Sequence, residues 1–87
     1  MKILISPLAE KQLRKLPKIV QIAIAQKAPS LSSVNLIGEE KLQGYKNIYR
    51  IRMGDYRIVY RRTAMEVYII LIRHRKDAYD FLKQLLG

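Results

Sequence analysis

Apolar residues change their spacing several times along this chain, and each change marks an element. Lys2 to Ile5 is a short apolar run of strand length. Ser6-Pro7 then reads as a helix start, with Ser6 as N-cap and Pro7 at the first helical position, where its missing N–H costs nothing. Leu8, Leu13 and Leu16 lie on the buried side of a helix predicted to end near Leu16. Pro17 restarts the pattern as another first-turn proline. Ile19, Val20, Ala23, Ile24 and Lys27 follow at helical spacing, with the apolar members on one stripe. The two helices are expected to form a hairpin; Pro29 and the Ser30-to-Ser33 region leave its far end open.

Gly38 to Gly44 is polar and reads as a loop. From Tyr45 to Arg73 the chain is rich in Tyr, Ile, Val and Arg, with interruptions at Gly54-Asp55 and from Arg62 to Glu66. That predicts three strands in a meander. The last, Val67 to Ile72, is continuously apolar and therefore expected in the middle of the sheet. Lys76 to Leu86 returns to helical spacing at Tyr79, Leu82, Lys83 and Leu86. The order β-α-α-β-β-β-α predicts an α+β fold in one domain over residues 1–87. Two N-terminal helices pack on a small antiparallel sheet, and a short C-terminal helix closes it.

Composition narrows the classes. A hydrophobic fraction of 49% argues against disorder. Without cysteine there is neither a disulfide framework nor a thiolate metal site. The first residues, MKILISPLAEKQ, lack the apolar stretch and small-residue cleavage site of a signal peptide. No apolar run approaches the roughly 20 residues that span a bilayer, so a cytoplasmic protein with no membrane partner is expected.

Charge is more informative. The net charge is +10 on 10.2 kDa, a field that favours polyanions. Residues 1–40 carry six basic and three acidic groups, residues 41–87 eleven and four, and the second part holds seven of the eight arginines.

The segment Tyr49 to Tyr60, YRIRMGDYRIVY, concentrates that charge. Gly54 can supply the positive φ required at the first central position of a type II′ hairpin turn. Met53 then lies opposite Tyr56, Arg52 opposite Arg57, Ile51 opposite Ile58, and Arg50 opposite Val59. Alternation puts Arg50, Arg52, Arg57 and Arg61 on one face, and Tyr49, Ile51, Met53, Tyr56, Ile58 and Tyr60 on the helix-packed face. A slip of one residue would exchange the two faces. Arg52 facing Arg57 is a like-charge contact that destabilises a sheet, and a bound polyanion would relieve it. A guanidinium binds phosphate oxygens through two parallel hydrogen bonds. The bland alternative is a solvated outer sheet face.

A second constellation, RHRKDAY (Arg73 to Tyr79), follows the apolar strand. His74, the sole histidine, is a candidate for proton transfer near neutral pH, although a lone histidine beside arginines is more often structural. Tyr79 can stack on a base or donate to a phosphate. Tyrosines 45, 49, 56, 60 and 68 read as core or edge residues. One histidine with scattered carboxylates makes no ordinary metal site, and neither a glycine-rich phosphate loop nor a Ser-His-Asp arrangement is present. No cofactor is expected. Guanidinium groups, phenols and an imidazole suit a phosphodiester, stabilising charge in its transition state.

These segments together, with the Lys41-to-Gly44 lead KLQG and the β-α-α-β-β-β order, resemble the RelE/ParE toxin superfamily over nearly the whole chain. The resemblance implies a type II toxin, and for RelE-type members a metal-independent endoribonuclease. Such toxins enter the ribosomal A site and cleave mRNA by attack of a ribose 2′-hydroxyl on the adjacent phosphate. It also implies an antitoxin partner, through which alone operator DNA is reached. By the same resemblance Arg50 and Arg52 stand where some members carry lysines, and Arg57 matches the arginine that stabilises transition-state charge. Tyr79 matches the tyrosine near the start of the last helix. The basic residue before it aligns with Arg73 or Arg75, with Arg75 preferred. Lys46, Arg61, Arg73 and Lys76 are the expected additional RNA contacts.

Arginines in place of lysines are poor proton acceptors. The general base is therefore left among His74, Tyr79 and simple orientation of the 2′-hydroxyl. The main alternative is a ParE-like inhibitor of DNA gyrase that binds protein and cleaves nothing. A third is an RNA-binding module without turnover. An acidic, partly disordered antitoxin is expected to cover the basic face or displace the final helix.

Overall fold

Ser6 joins the first strand to the first helix, and its hydroxyl serves both. In a computed structural model that describes residues 2–33, 36–74 and 83–86, β1 (Lys2–Ile5) ends just before this residue and α1 (Pro7–Arg14) begins just after it. Ser6 Oγ accepts from the Ala9 N–H at 2.9 Å, capping α1 as the sequence predicts. The same oxygen donates to the Ile70 carbonyl at 2.7 Å. Ile70 lies in β5 (Glu66–His74), at the point where that strand slips against β4 (Tyr56–Arg62): Val59 pairs with Leu71 and Tyr60 with Ile69, leaving Ile70 as the extra residue of a bulge. One buried hydroxyl thus serves a helix end and a bulge.

Removing it should cost more than an ordinary cap. Ser6→Ala deletes a cap contribution of about 1 kcal/mol and leaves a buried carbonyl without its partner, at about 1–3 kcal/mol. The expected result is a fall in Tm of roughly 10–20 °C, read by a thermal melt followed by circular dichroism.

Helix α1 stops at Arg14, two residues before the expected end at Leu16. Gln21, on α2 (Lys18–Lys27), explains the tidy exit: its amide donates to the Leu16 carbonyl at 2.9 Å and to that of Arg14 at 3.3 Å. Pro17 stands at the N-cap of α2 instead of inside its first turn. A 3₁₀ turn, Ala28–Ser32, follows and buries Leu31 completely. Of the predicted C-terminal helix, residues 83–86 are helical and 76–82 lie outside the described residues.

The sheet has the order β1-β5-β4-β3-β2, with β2 at Glu40–Lys41 and β3 at Ile48–Met53. The meander β3-β4-β5 is antiparallel as expected, and β5 is an interior strand. Two corrections follow. β1 pairs with β5 in parallel, Lys2 with Glu66 through Ile5 with Ile69, so the sheet is mixed and not antiparallel throughout. A parallel pair needs a long connection, and here it runs through both helices and the strands β2 to β4. Part of the stretch read as a loop, Gly38 to Gly44, is the short edge strand β2.

Both faces of this sheet carry apolar residues. On the helix side, Ile51, Ile58, Tyr60, Val67, Ile69 and Ile72 pack with Ala9, Ile24 and Leu31. On the other side a smaller cluster joins Leu42, Ile48, Val59, Ile70 and Leu71, with Leu8, Tyr45 and Tyr68 against it. Burial on both sides explains the unbroken apolar run of β5. The face expected to be basic is therefore divided, apolar at one end and charged at the other.

Candidate nucleic-acid interface

The charged end is built by the β3–β4 hairpin. Gly54 has φ +59°, and every pair from Met53–Tyr56 to Arg50–Val59 takes the register that the turn chemistry predicts. Arg52 pairs with Arg57, and Arg57 pairs in turn with Arg73 of β5. Three arginines therefore stand in one row across three strands, about 10 Å wide at a strand spacing of about 4.8 Å. Arg50 lies one pleat inward from Arg52 on the same face.

At the sheet edge, β2 sets Glu40 opposite Arg50, and the Glu40 Oε2 to Arg50 Nη2 distance is 3.2 Å. This carboxylate was not among the sequence candidates. Its signal is faint: Glu40 and Leu42 are two apart, one beside Arg50 and the other in the apolar cluster of that face, but a two-residue strand shows no periodicity.

Within the row Arg57 has a like charge on each side. Like charges directly opposite one another destabilise a sheet. Arg57 Nε is buried and has no hydrogen-bond partner among the described residues. Arg52 is tied back to the turn by a 2.8 Å hydrogen bond from its Nε to the Gly54 carbonyl. An anion laid across the row would neutralise the repulsion and meet the guanidinium donors in pairs.

The bulge at Ile70 decides which residue of β5 joins this row. Without it, continuing the pairing Arg62–Val67, Arg61–Tyr68, Tyr60–Ile69 would bring His74 to the arginine face and turn Arg73 away. The inserted residue exchanges them. His74 instead pairs with Tyr56 on the opposite face, its ring edge-on to the tyrosine at 6.1 Å between centroids. The structure therefore does not bring the sole histidine to the arginine row.

Arg61 and Lys46 are also separated from that row. Arg61 sits four residues along β4 from Arg57, about 13 Å at the rise of a strand, with the buried Val59 between them. It shares a shallow depression with Gly44, Tyr45, Lys46, Asn47, Ile48 and Leu86. Arg75, Lys76 and Tyr79 lie outside the described residues. Among the described residues, no three His, Cys, Asp or Glu side chains gather as metal ligands.

A buried ion pair underlies the β2 edge and was not foreseen. A tight turn, with Leu36 O accepting from Glu39 N at 3.0 Å and Gly38 at φ +85°, carries Glu39 inward. Glycine meets the positive φ that such a turn requires at its third residue. The Glu39 carboxylate takes both arms of the Arg62 guanidinium, at 2.5 Å from Nη1 and 2.9 Å from Nη2, and accepts from the Tyr60 hydroxyl as well. Arg62 Nη1 also reaches the Leu31 carbonyl at 3.2 Å, and its guanidinium lies 4.3 Å over the Tyr49 ring. The Tyr49 and Tyr60 rings stack at 6.0 Å.

Burial raises the Glu39 carboxyl on the acidity scale, but the hydrogen bonds from Arg62 and Tyr60 and the guanidinium charge outweigh it and hold the group below its ordinary value of 4.5. Burial and the neighbouring carboxylate push the Tyr60 hydroxyl far upward. The bonds to Glu39 push Arg62 upward too.

Comparison with known proteins follows the same lines. Residues 3–79 match the family described as the ParE toxin of the type II toxin–antitoxin system parDE. Toxin RelE3 of Methanocaldococcus jannaschii is 33% identical over 93% of this chain and 98% of its own. The toxin–antitoxin complex RelB–RelE from Methanococcus jannaschii superposes with a TM-score of 0.73 and 29% identity, over 90% of this chain and 96% of the other. The isolated E. coli RelE toxin gives 0.71 and 26%, over 98% of each chain.

Proposed function

Because this chain belongs to the RelE/ParE superfamily of type II toxin–antitoxin toxins, we propose that it is a metal-independent endoribonuclease that cleaves mRNA in the ribosomal A site. The observation that carries this reading is the row Arg52–Arg57–Arg73 with the Arg50–Glu40 pair at its edge. Three guanidinium groups side by side, with a carboxylate one pleat away beside Arg50, suit a phosphodiester substrate better than a protein surface alone.

The chemistry follows from the side chains. A scissile phosphate across the row is held by guanidinium forks. The adjacent ribose 2′-oxygen attacks phosphorus while the bond from phosphorus to the 5′-oxygen breaks, giving a cyclic phosphate and a 5′-hydroxyl. Glu40 takes the proton of the 2′-hydroxyl, a task for which a guanidinium is unsuited, and the leaving oxygen takes one from solvent. Negative charge gathers on the phosphate oxygens in the transition state, where Arg57 in the middle of the row is best placed to stabilise it. Arg61 and Lys46, at the far end of the face, suit flanking RNA backbone.

The toxin–antitoxin complexes among the structural relatives support a cognate antitoxin partner; neutralisation in the cytoplasm and a link to operator DNA through that partner are part of the same proposal. An acidic antitoxin segment would relieve the same repulsion in the row as RNA does.

The test is cleavage of mRNA on programmed ribosomes in the presence of EDTA. Cuts within the A-site codon that resist the chelator are expected. A folded protein that cuts nothing but blocks DNA supercoiling by gyrase would replace this reading with the ParE-like one, which the description of the matched family favours.

A further inference from the structure

We propose that Glu39, Arg62 and Tyr60 form a buried clamp that sets the register of β2 and thereby positions Glu40 on the arginine face; the role rests on the nuclease reading of that face. Strand β2 has only two residues, Glu40 and Lys41. A strand that short makes too few ladder bonds to hold itself in place. Something else must fix where it lies.

The neighbouring residue does so. Glu39 and Arg62 have side chains only 7% and 9% exposed, and both arms of the guanidinium meet both carboxylate oxygens. A bidentate fork fixes orientation as well as distance. Arg62 is itself anchored, by its backbone N–H to the Asn47 carbonyl at 3.0 Å and by its guanidinium to Leu31 O.

Alternation then carries the constraint across the sheet. Glu39 enters on the side of Tyr49 and Tyr60, so the next residue, Glu40, is delivered to the opposite side, beside Arg50. A slip of one residue would turn Glu40 away from the row. The first ladder bond beyond β2, Leu42 N to Ile48 O at 2.9 Å, follows from the same placement. As a source of net stability a buried ion pair is a weak choice, since apolar residues of similar size do as well or better. What the fork adds is one defined register at a short edge.

Glu39, Arg62 and Tyr60 are thus positioning residues, acting through Glu40. The experiment compares the wild type with Glu39→Gln and Tyr60→Phe. The second variant removes a single hydroxyl and keeps the ring, so that a folded protein remains for measurement. Amide hydrogen exchange at Leu42 and steady-state cleavage on programmed ribosomes are read together, well below each melting temperature.

The expected result is faster exchange at Leu42 with the β4–β5 amides unchanged. With it, kcat should fall about 10- to 100-fold while KM stays within about twofold, because the arginine row that binds RNA is untouched. Wild-type kcat in folded variants overturns the proposal, as does a loss of activity that only follows global unfolding. A wild type that cleaves nothing removes the nuclease reading itself. In that case Leu42 exchange alone upholds the register clamp if it accelerates and overturns it if it does not.

Discussion

Replacing Arg57 by alanine is expected to lower cleavage on programmed ribosomes by about 10²–10³-fold, the usual cost of removing one well-placed donor to transition-state charge, while leaving the fold at least as stable. Both halves come from one geometric fact. Arg57 has Arg52 on one side and Arg73 on the other, so it is the member of the row that faces a phosphate from the centre. It is also the member that suffers two like-charge contacts, and deleting it relieves both. A Tm equal to or above that of the wild type beside a collapse in kcat is the expected pair of measurements. Arg57→Lys should recover part of the rate, since it restores charge without the planar fork. Glu40→Gln in the same assay should lower kcat with little change in KM, because an amide cannot accept the 2′-hydroxyl proton. Toxicity that survives Arg57→Ala would turn attention to protein binding.

The second large effect is on stability. Arg62→Leu leaves the Glu39 carboxylate buried with the Tyr60 hydroxyl as its remaining side-chain partner, and breaking one side of a buried pair costs about 3–5 kcal/mol. A domain of this size has about 5–15 kcal/mol in all, so a fall in Tm of at least about 12 °C is expected. The double variant Glu39→Met with Arg62→Leu should recover much of it, because no charge is then left unpaired.

The same pair makes stability depend on acid. Glu39 is held below 4.5 in the folded protein, so its contribution is fully present above about 4.5 and disappears as pH falls through the lowered folded value. In Glu39→Gln this part of the acid dependence should vanish, as urea titrations at pH 7 and at about pH 3.5 would report. Equal acid sensitivity in both proteins would rule the pair out as its source.

How much of this was legible in the sequence depends on how locally each feature is determined. The β3–β4 register could be read because Gly54 fixes the turn and alternation does the rest. Ser6 before Pro7 announced its cap. The direction of β1 could not be read, since nothing in four apolar residues says which strand they will meet. The partners of Arg73 and His74 were hidden for a different reason: counting back from the turn at residues 63–65 gives the wrong parity, because the bulge at Ile70 inserts one residue. His74, a candidate as the sole histidine, is the residue whose face that insertion decides. Glu39 and Arg62 are 23 positions apart, and the intervening polar loop gave no sign that a carboxylate within it would be buried. Resemblance to a family supplied the reaction class proposed above, but it gave no sign of the Glu40–Arg50 pair.

The pairing of β1 with β5 has a consequence for how the chain assembles. Lys2 meets Glu66, so β1 remains unpaired until the last strand of the meander has been made. The arginine row, by contrast, is made of hairpins between neighbouring segments and needs only local closure, which is the quick part of folding. The two halves of the sheet are therefore set on different clocks: a charged platform that forms early from residues 48–74, and the parallel seam between β1 and β5 that is the last to shut. Until it shuts, the edge of β5 is open to any other extended chain.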